Sequence, residues 1–358
     1  MSHQKTIFSS KPKGRNPYLN RWLLVFFFGF LSGVIGRYYG LLIYGDASDA
    51  DFFRGGRTGF TIGFLIAAFE VFYIRSQRRS WFRRAAFLPG LLMRILVLMV
   101  IIRVGMVFNG LLTNYMTGSA VTLEVFKFSE QFRDTLFSLA VVVVFVTISQ
   151  LTSIIGGKRF VNMVAGRYFK PVSENRIFLF VDVVDSTKLA RELGNVRFHE
   201  FLSEFFYTID HAIVSSGGEI VSYVGDAVIV TWPLREDKKK NGRCLVAINQ
   251  MAKDVENHAD FFMEKFSVTA KFRLALHGGK VVVGECGDSR KQITFLGDVV
   301  NTTARIENAC KETGENYLIS DVLAQQLELP ESVSFEKLGM VKLKGIVEPY
   351  LLHKIAIT

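Results

Sequence analysis

Two aspartates in this sequence stand where packing has no use for a carboxylate. Asp182 falls within the apolar run FLFVDVV, and Asp226 sits at the turn of GEIVSYVGDAVIVTW. An aspartate leaving a strand is usually a helix cap or a turn former, and Asp185, Ser186 and Gly225 take that reading. Asp182 does not, because it precedes any cap. Carboxylates carried on two neighbouring strands suit Mg²⁺, which takes oxygen ligands, commonly one or two carboxylates together with substrate phosphates. A pair of such ions can polarise both the attacking and the leaving oxygen of a displacement. The segment FLGDVVNTTARIENAC then places Asn301 and Arg305 four residues apart on a predicted helix, hence on one face. An amide and a guanidinium together can hold a ribose and neutralise charge on a phosphoryl group in transfer. On a helix by themselves they are ordinary solvated surface, and their weight comes from the combination with the two aspartates.

Other chemistries find little support. His277, in LALHGG, reads as a strand histidine ahead of a glycine pair, with a structural role. Cys244, Cys286 and Cys310 show no CxxC or Cys/His spacing, which argues against zinc or a disulfide framework and fits a reducing compartment. No GxxxxGK[ST] pattern occurs, so a P-loop phosphotransferase is unsupported.

The elements that must position these residues alternate in type. An apolar strand at about 176–183 leads into a helix at about 186–215, and a strand pair near 218–232 turns at Gly225–Asp226. A helix at about 238–258, strands at 268–276 and 280–285, a short loop, and a helix at 298–313 follow. A small strand at 316–319, a helix at 321–327 and a terminal strand pair complete the pattern. Strands and helices interleaved with hairpins predict an α+β domain with a mainly antiparallel sheet.

The first half is of another kind. Residues 1–170 hold 21 Lys plus Arg against 7 Asp plus Glu, a net of +14, and residues 171–358 hold 22 against 26, a net of −4. The positive excess therefore flanks apolar stretches, as retention of Lys and Arg on the cytoplasmic side produces, and no nucleic-acid partner is expected. Four apolar segments, 22–44, about 57–74, about 86–113 and about 135–155, are long enough at about 1.5 Å per residue to be read as transmembrane helices. A basic lead-in precedes the first, Asp46, Asp49 and Asp51 follow it, and Arg75, Arg78, Arg79, Arg83 and Arg84 follow the second. The expected topology puts the N-terminus, the arginine loop and the C-terminal domain in the cytoplasm, with a multi-pass protein in the cell (inner) membrane. Glu70, Arg94 and Arg103 fall in or at the edge of spans, where the plain reading is snorkelling or a Glu70–Arg94 ion pair. The expected organisation is a basic lead-in (1–21), a four-helix membrane domain (22–155), a connector (156–175) and a catalytic domain (176–358).

The soluble half resembles the class III nucleotidyl cyclases over about 174–356. The carriers are FVDVVDST, VGD, HGGKVVVGECG, TFLGDVVNTTARIENA and LKGIVEP, specific together and weak singly. The resemblance implies a ferredoxin-like catalytic domain that cyclises ATP to cyclic AMP and pyrophosphate, the ribose 3′-hydroxyl attacking the α-phosphate, with a guanylate cyclase as the alternative. It implies two divalent ions per site, Mg²⁺ or Mn²⁺, held by Asp182, Asp226 and the Val183 carbonyl. Ser186 and Thr187 would lie at the phosphates, Lys344 would contact the β- and γ-phosphates, and Asn301 and Arg305 would stabilise the transition state. In this family the aspartates and the Asn/Arg pair of one site come from different protomers, which implies a homodimer with sites at the interface. Two positions depart from the adenine-reading pattern: Ser222 stands where a Lys is common, while Thr294 remains compatible with adenine and Gln292 can compensate. Asp185 stands where a Gly is frequent, close to the expected phosphates. These departures motivate the reading of a different class, a catalytically weak membrane receptor or partner-binding module that keeps the fold.

Overall fold

The computed structural model describes residues 17–44, 49–74, 87–117, 128–289 and 291–358. The chain separates into two compact units, Met1–Ile154 and Ile155–Thr358.

The first unit is helical. Helix α1 (Pro17–Tyr44) packs on α2 (Asp49–Ala68), which continues as a π-helical turn, Phe69–Ile74. The two lie so close because glycines face backbone: a Cβ on Gly59 would stand 2.3 Å from the Ser32 carbonyl oxygen, and one on Gly36 2.7 Å from that of Gly55. Small residues at such a contact let two helix backbones approach closely. Helix α3 (Phe87–Thr117) and α4 (Phe128–Ile155) meet through Leu98, Ile102, Val142 and Val146. Arg57 donates from Nε to Asn109 Oδ1 at 3.2 Å and also bonds Thr113, and Arg94 pairs with the buried Glu70 at 2.6 Å, so α2 and its π turn are tied to α3 by polar groups.

Among the described residues three helices are long and apolar enough to cross a membrane: Trp22–Leu42, Leu88–Thr113 and Thr135–Thr152, with mean hydropathies of 1.4, 2.5 and 2.1. The expected span at 57–74 is helical but not one of these. Its helix α2 carries Asp49, Asp51, Arg54 and Arg57. The lead-in to residue 16, Asp46, the 75–84 arginine cluster and residues 118–127 lie outside the described residues.

In the second unit, α5 (Gly157–Val164) precedes β1 (Val172–Val183), which starts four residues before the strand read from the sequence. Then come α6 (Ser186–Leu193), α7 (Asn195–Ser215), β2 (Glu219–Val224), β3 (Ala227–Pro233), α8 (Lys238–Asn241), α9 (Arg243–Asn257) and α10 (Ala259–Phe266). After β4 (Phe272–Cys286) and β5 (Gln292–Leu296), α11 (Asp298–Thr313) leads to β6 (Tyr317–Ser320), α12 (Asp321–Ala324), β7 (Val333–Val341) and β8 (Tyr350–Ile357). The sheet order is β2-β3-β1-β4-β6-β8-β7, with β5 pairing β4. The β4–β6 pair is parallel and the others are antiparallel, so the expected mainly antiparallel α+β fold is present.

Strand β1 shows how the sequence makes two faces. Ile177, Leu179, Val181 and Val183 enter the large core with Phe201, Phe205 and Ile209 of α7 and Leu245, Ile248 and Met251 of α9. The intervening residues look the other way, as a period of two requires. Phe178 packs there with Tyr168, Val281, Val283 and Val299, and Asp182 shares that side. Tyr168, from the segment before β1, is thus a core residue: its hydroxyl donates to Glu174 and accepts from Arg176, and its carbonyl accepts from Glu285 N. Glu219 and Glu174 outweigh the effect of burial on Arg176 and hold its pKa above the usual value.

Other boundaries also differ from the sequence reading, and the helix expected at 321–327 ends at Ala324. The helix expected over 186–215 is broken at Gly194 (φ 75) into α6 and α7. The helix at 238–258 is divided at Gly242, where a Cβ would stand 2.4 Å from the Glu328 carbonyl oxygen. The two strands expected at 268–276 and 280–285 are one, β4, running through Gly278–Gly279 in register with Ile177 and Arg176. That glycine pair makes no turn; a Cβ on Gly278 would meet Leu323 at 2.9 Å.

Candidate active site

The last residues of β1 lie opposite the start of β3, and the antiparallel register pairs Asp182 with Ala227. Asp226 is the residue before Ala227, in the turn after Gly225 (φ 62), so the two carboxylates sit on backbones one strand spacing, about 4.8 Å, apart. Asp182 is 6 % exposed and Asp226 is half-buried.

Asp182 is surrounded by cations. Lys311 Nζ of α11 is 3.2 Å and Arg273 of β4 3.5 Å from its Oδ2, and Arg273 is its register partner across β1–β4. Glu307, also buried, completes the cluster and pairs with Lys311 at 3.6 Å. Burial, then the charge of Asp182, pushes the Glu307 carboxyl above the usual range. Burial of Lys311 acts to lower its pKa, but Glu307 and Asp182 outweigh it and hold the ammonium above its usual value. None of Arg273, Glu307 and Lys311 was singled out in the sequence. The one signal was a charge, Arg273, inside the apolar strand FRLAL.

These residues fit a divalent ion. The Asp182 and Asp226 carboxylates, on adjacent strands, are oxygen donors of the kind Mg²⁺ takes, while Arg273 and Lys311 balance the charge of Asp182. Mg²⁺ needs no more protein ligands than that when substrate phosphates supply the rest.

Beyond Val183 the chain passes Val184, whose N–H donates to the Lys271 carbonyl, and enters α6. Asp185 occupies the N-cap position but in the left-handed region (φ 56), and its side chain makes no capping bond. The cap expected of it is therefore not formed: a left-handed backbone turns the side chain away from the helix's first N–H groups. Ser186 is half-buried and Thr187 exposed at this helix start.

The remaining site residues gather elsewhere. Asn301 is exposed and Arg305 half-buried on α11, and the Arg305 guanidinium lies 3.7 Å from where a Cβ of Gly345 would be, at the turn that carries the exposed Lys344. At about 100° per residue, the Asn301/Arg305 face is turned about 120° from the Glu307/Lys311 face. Asn301 also precedes Lys311 by ten residues, about 15 Å of helix. A single chain thus presents two groups, carboxylates at one end of α11 and Asn301, Arg305 and Lys344 toward the other. Ser222 lies on β2 beside a register shift, opposite Ile229. Thr294 on β5 donates to the Gly284 carbonyl at 3.2 Å, and Gln292 is exposed at the start of the same strand. His277 is buried, with Nδ1 2.7 Å from Ser320 Oγ, and burial pushes its pKa down to about 4.

The profile of the adenylate and guanylate cyclase catalytic domain family matches residues 170–354. Adenylate cyclase 2 of Rhizobium meliloti (strain 1021) is 36 % identical over 196 residues, 55 % of this chain and 54 % of that one. An adenylate cyclase of Anabaena cylindrica is 29 % identical over 183 residues, 49 % of this chain and 36 % of its own length. The chain thus spans about half, or less, of the length of these relatives. The solved structure of a bacterial light-regulated adenylyl cyclase shares the fold at a TM-score of 0.51 and 17 % identity, over 61 % of this chain and 65 % of that one. With the family profile spanning more than half of its residues, the chain belongs to the adenylate and guanylate cyclase catalytic domain family.

Proposed function

We propose that this protein is a membrane-anchored adenylate cyclase, converting ATP to cyclic AMP and pyrophosphate as a homodimer. The observation that carries the reading is the β1–β3 register, which sets Asp182 beside the Asp226 turn while α11 keeps Asn301 and Arg305 on another face.

Asp182 and Asp226, with the Val183 carbonyl, would hold Mg²⁺ or Mn²⁺. When bound, the ions would acidify the ribose 3′-hydroxyl and offset charge on the leaving pyrophosphate. The chain's own groups do the rest. The uncapped N–H groups at the start of α6, with Ser186 and Thr187, favour phosphate oxygens through the helix N-terminus. Arg273, whose buried Nε has no hydrogen-bond partner among the described residues, keeps a positive charge beside Asp182. Asn301 and Arg305 of a second copy orient the ribose and steady charge at the α-phosphate, and Lys344 beside Arg305 draws the β- and γ-phosphates. Asp185 is exposed in the left-handed conformation, which turns its charge from the phosphates toward solvent.

Three apolar helices, with polar ties between helices kept inside the first unit, support anchoring in the inner membrane with the catalytic domain cytoplasmic. Ser222 keeps guanylate cyclase as the second reading, since it offers no cation to the purine.

The test is product formation by the full-length protein in detergent, with ATP or GTP and Mg²⁺ or Mn²⁺. Cyclic AMP formed from ATP, and abolished in Asp226→Ala, supports the proposal. Cyclic GMP as the main product moves the assignment to guanylate cyclase. Turnover unchanged in Asp226→Ala refutes the mechanism, and no product from either nucleotide leaves the binding-module reading.

A further inference from the structure

Lys311 belongs to none of the roles above, yet among the described residues its Nζ, at 3.2 Å, is the nearest cation to Asp182, closer than Arg273 at 3.5 Å. The two cations differ in freedom. Arg273 rises from the neighbouring strand with its side chain 16 % exposed, whereas Lys311 stands in the last turn of α11, 45 % exposed, on a flexible four-carbon stem. Glu307, one turn earlier on the same helix face, lies 3.6 Å from the same ammonium. The ammonium therefore has two carboxylates within a single swing of its side chain.

We propose that Lys311 is the resident counter-ion of Asp182, which a divalent ion must displace, and that Glu307 receives the ammonium as it leaves. The proposal rests on the reading of Asp182 as a metal ligand. A nearly buried carboxylate needs a compensating charge when no ion is bound, and Lys311 supplies it. An ammonium and a divalent cation cannot share one carboxylate oxygen without strong repulsion at such distances. Lys311 yields by moving, on a half-exposed and flexible stem, and Glu307 makes that move short. Lys311 is thus a positioning residue: it keeps the Asp182 carboxylate oriented in the empty site and weakens the site for a bare metal ion.

The experiment titrates full-length protein in detergent with Mn²⁺, without nucleotide, reading free Mn²⁺ by electron paramagnetic resonance. Lys311→Met keeps the apolar stem and removes the charge; it is expected to bind Mn²⁺ roughly two- to fivefold more tightly than wild type, the range of a partly exposed ion pair. Lys311→Arg should bind as wild type does, and Lys311→Gln provides a second charge-free variant if the methionine variant folds poorly. Equal or weaker Mn²⁺ binding by the charge-free variants, with melting temperature unchanged, overturns the proposal. Asp182→Asn separates the two readings. If it binds Mn²⁺ as wild type does, the metal assignment fails and takes the Lys311 proposal with it. If it loses the ion while the Lys311 variants show no gain, the Lys311 proposal alone is wrong.

Discussion

Asp182→Asn and Arg305→Ala should each be inactive alone and active together. In one chain Lys311 touches Asp182, while Asn301 stands about 15 Å back along α11 and Arg305 leans on the Gly345 turn. On the proposed reading, each site takes its carboxylates from one copy and its guanidinium from another. Either change by itself spoils both sites of a symmetric dimer, and loss of a group that stabilises transition-state charge costs about 10²- to 10³-fold. Co-expressed at equal levels, the two variants pair at random and half of the dimers are mixed. A mixed dimer has one site with both defects and one with neither, so the preparation should recover about a quarter of wild-type turnover. The assay is cyclic AMP formation by co-purified, differently tagged chains in detergent. Activity at the level of the separate variants, with mixed dimers demonstrated by double-tag capture, would refute the two-chain site.

Two further outcomes concern the catalytic unit's stability. His277 has its pKa depressed from 6.5 to about 4 by burial, so the unfolded chain takes up the proton first: the stability is intact above about pH 6.5 and is lost as pH falls toward and through 4. Between pH 7 and pH 5 this removes about 2 kcal/mol, and His277→Asn should flatten that part of the dependence in denaturant unfolding monitored at both pH values. Phe201 is fully buried between Phe262 and Phe266, with ring centroids 5.4 and 5.5 Å away, so Phe201→Ala should cost about 3–5 kcal/mol in the same experiment.

What could be read in the sequence was what local pattern encodes. Asp182 was visible because one carboxylate interrupts an apolar run, and Asn301 with Arg305 because a spacing of four defines a helix face. Gly194 was not read as a break, since apolar positions three and four apart continue across it, and only its positive φ separates α6 from α7. Gly278–Gly279 resembled a turn because a glycine pair usually is one; here the reason for glycine is the close approach of Leu323 from another element. Arg273, Glu307 and Lys311 were hidden for the same cause. Their relation to Asp182 comes from strand register and from α11 lying across the sheet, contacts among residues about 90 to 130 positions apart, which no local spacing records.

Tyr168 gives the segment ahead of β1 a mechanical address. It shares a buried cluster with Val299, in the first turn of the helix that bears Asn301, and its hydroxyl is held by Glu174 and Arg176. A torque on residues 156–167 would meet that cluster two residues from Asn301, and would meet β1, the strand that carries Asp182, through Glu174 and Arg176. On the proposed reading, a stimulus delivered along this route would reach both the Asn301 side and the Asp182 side of the site.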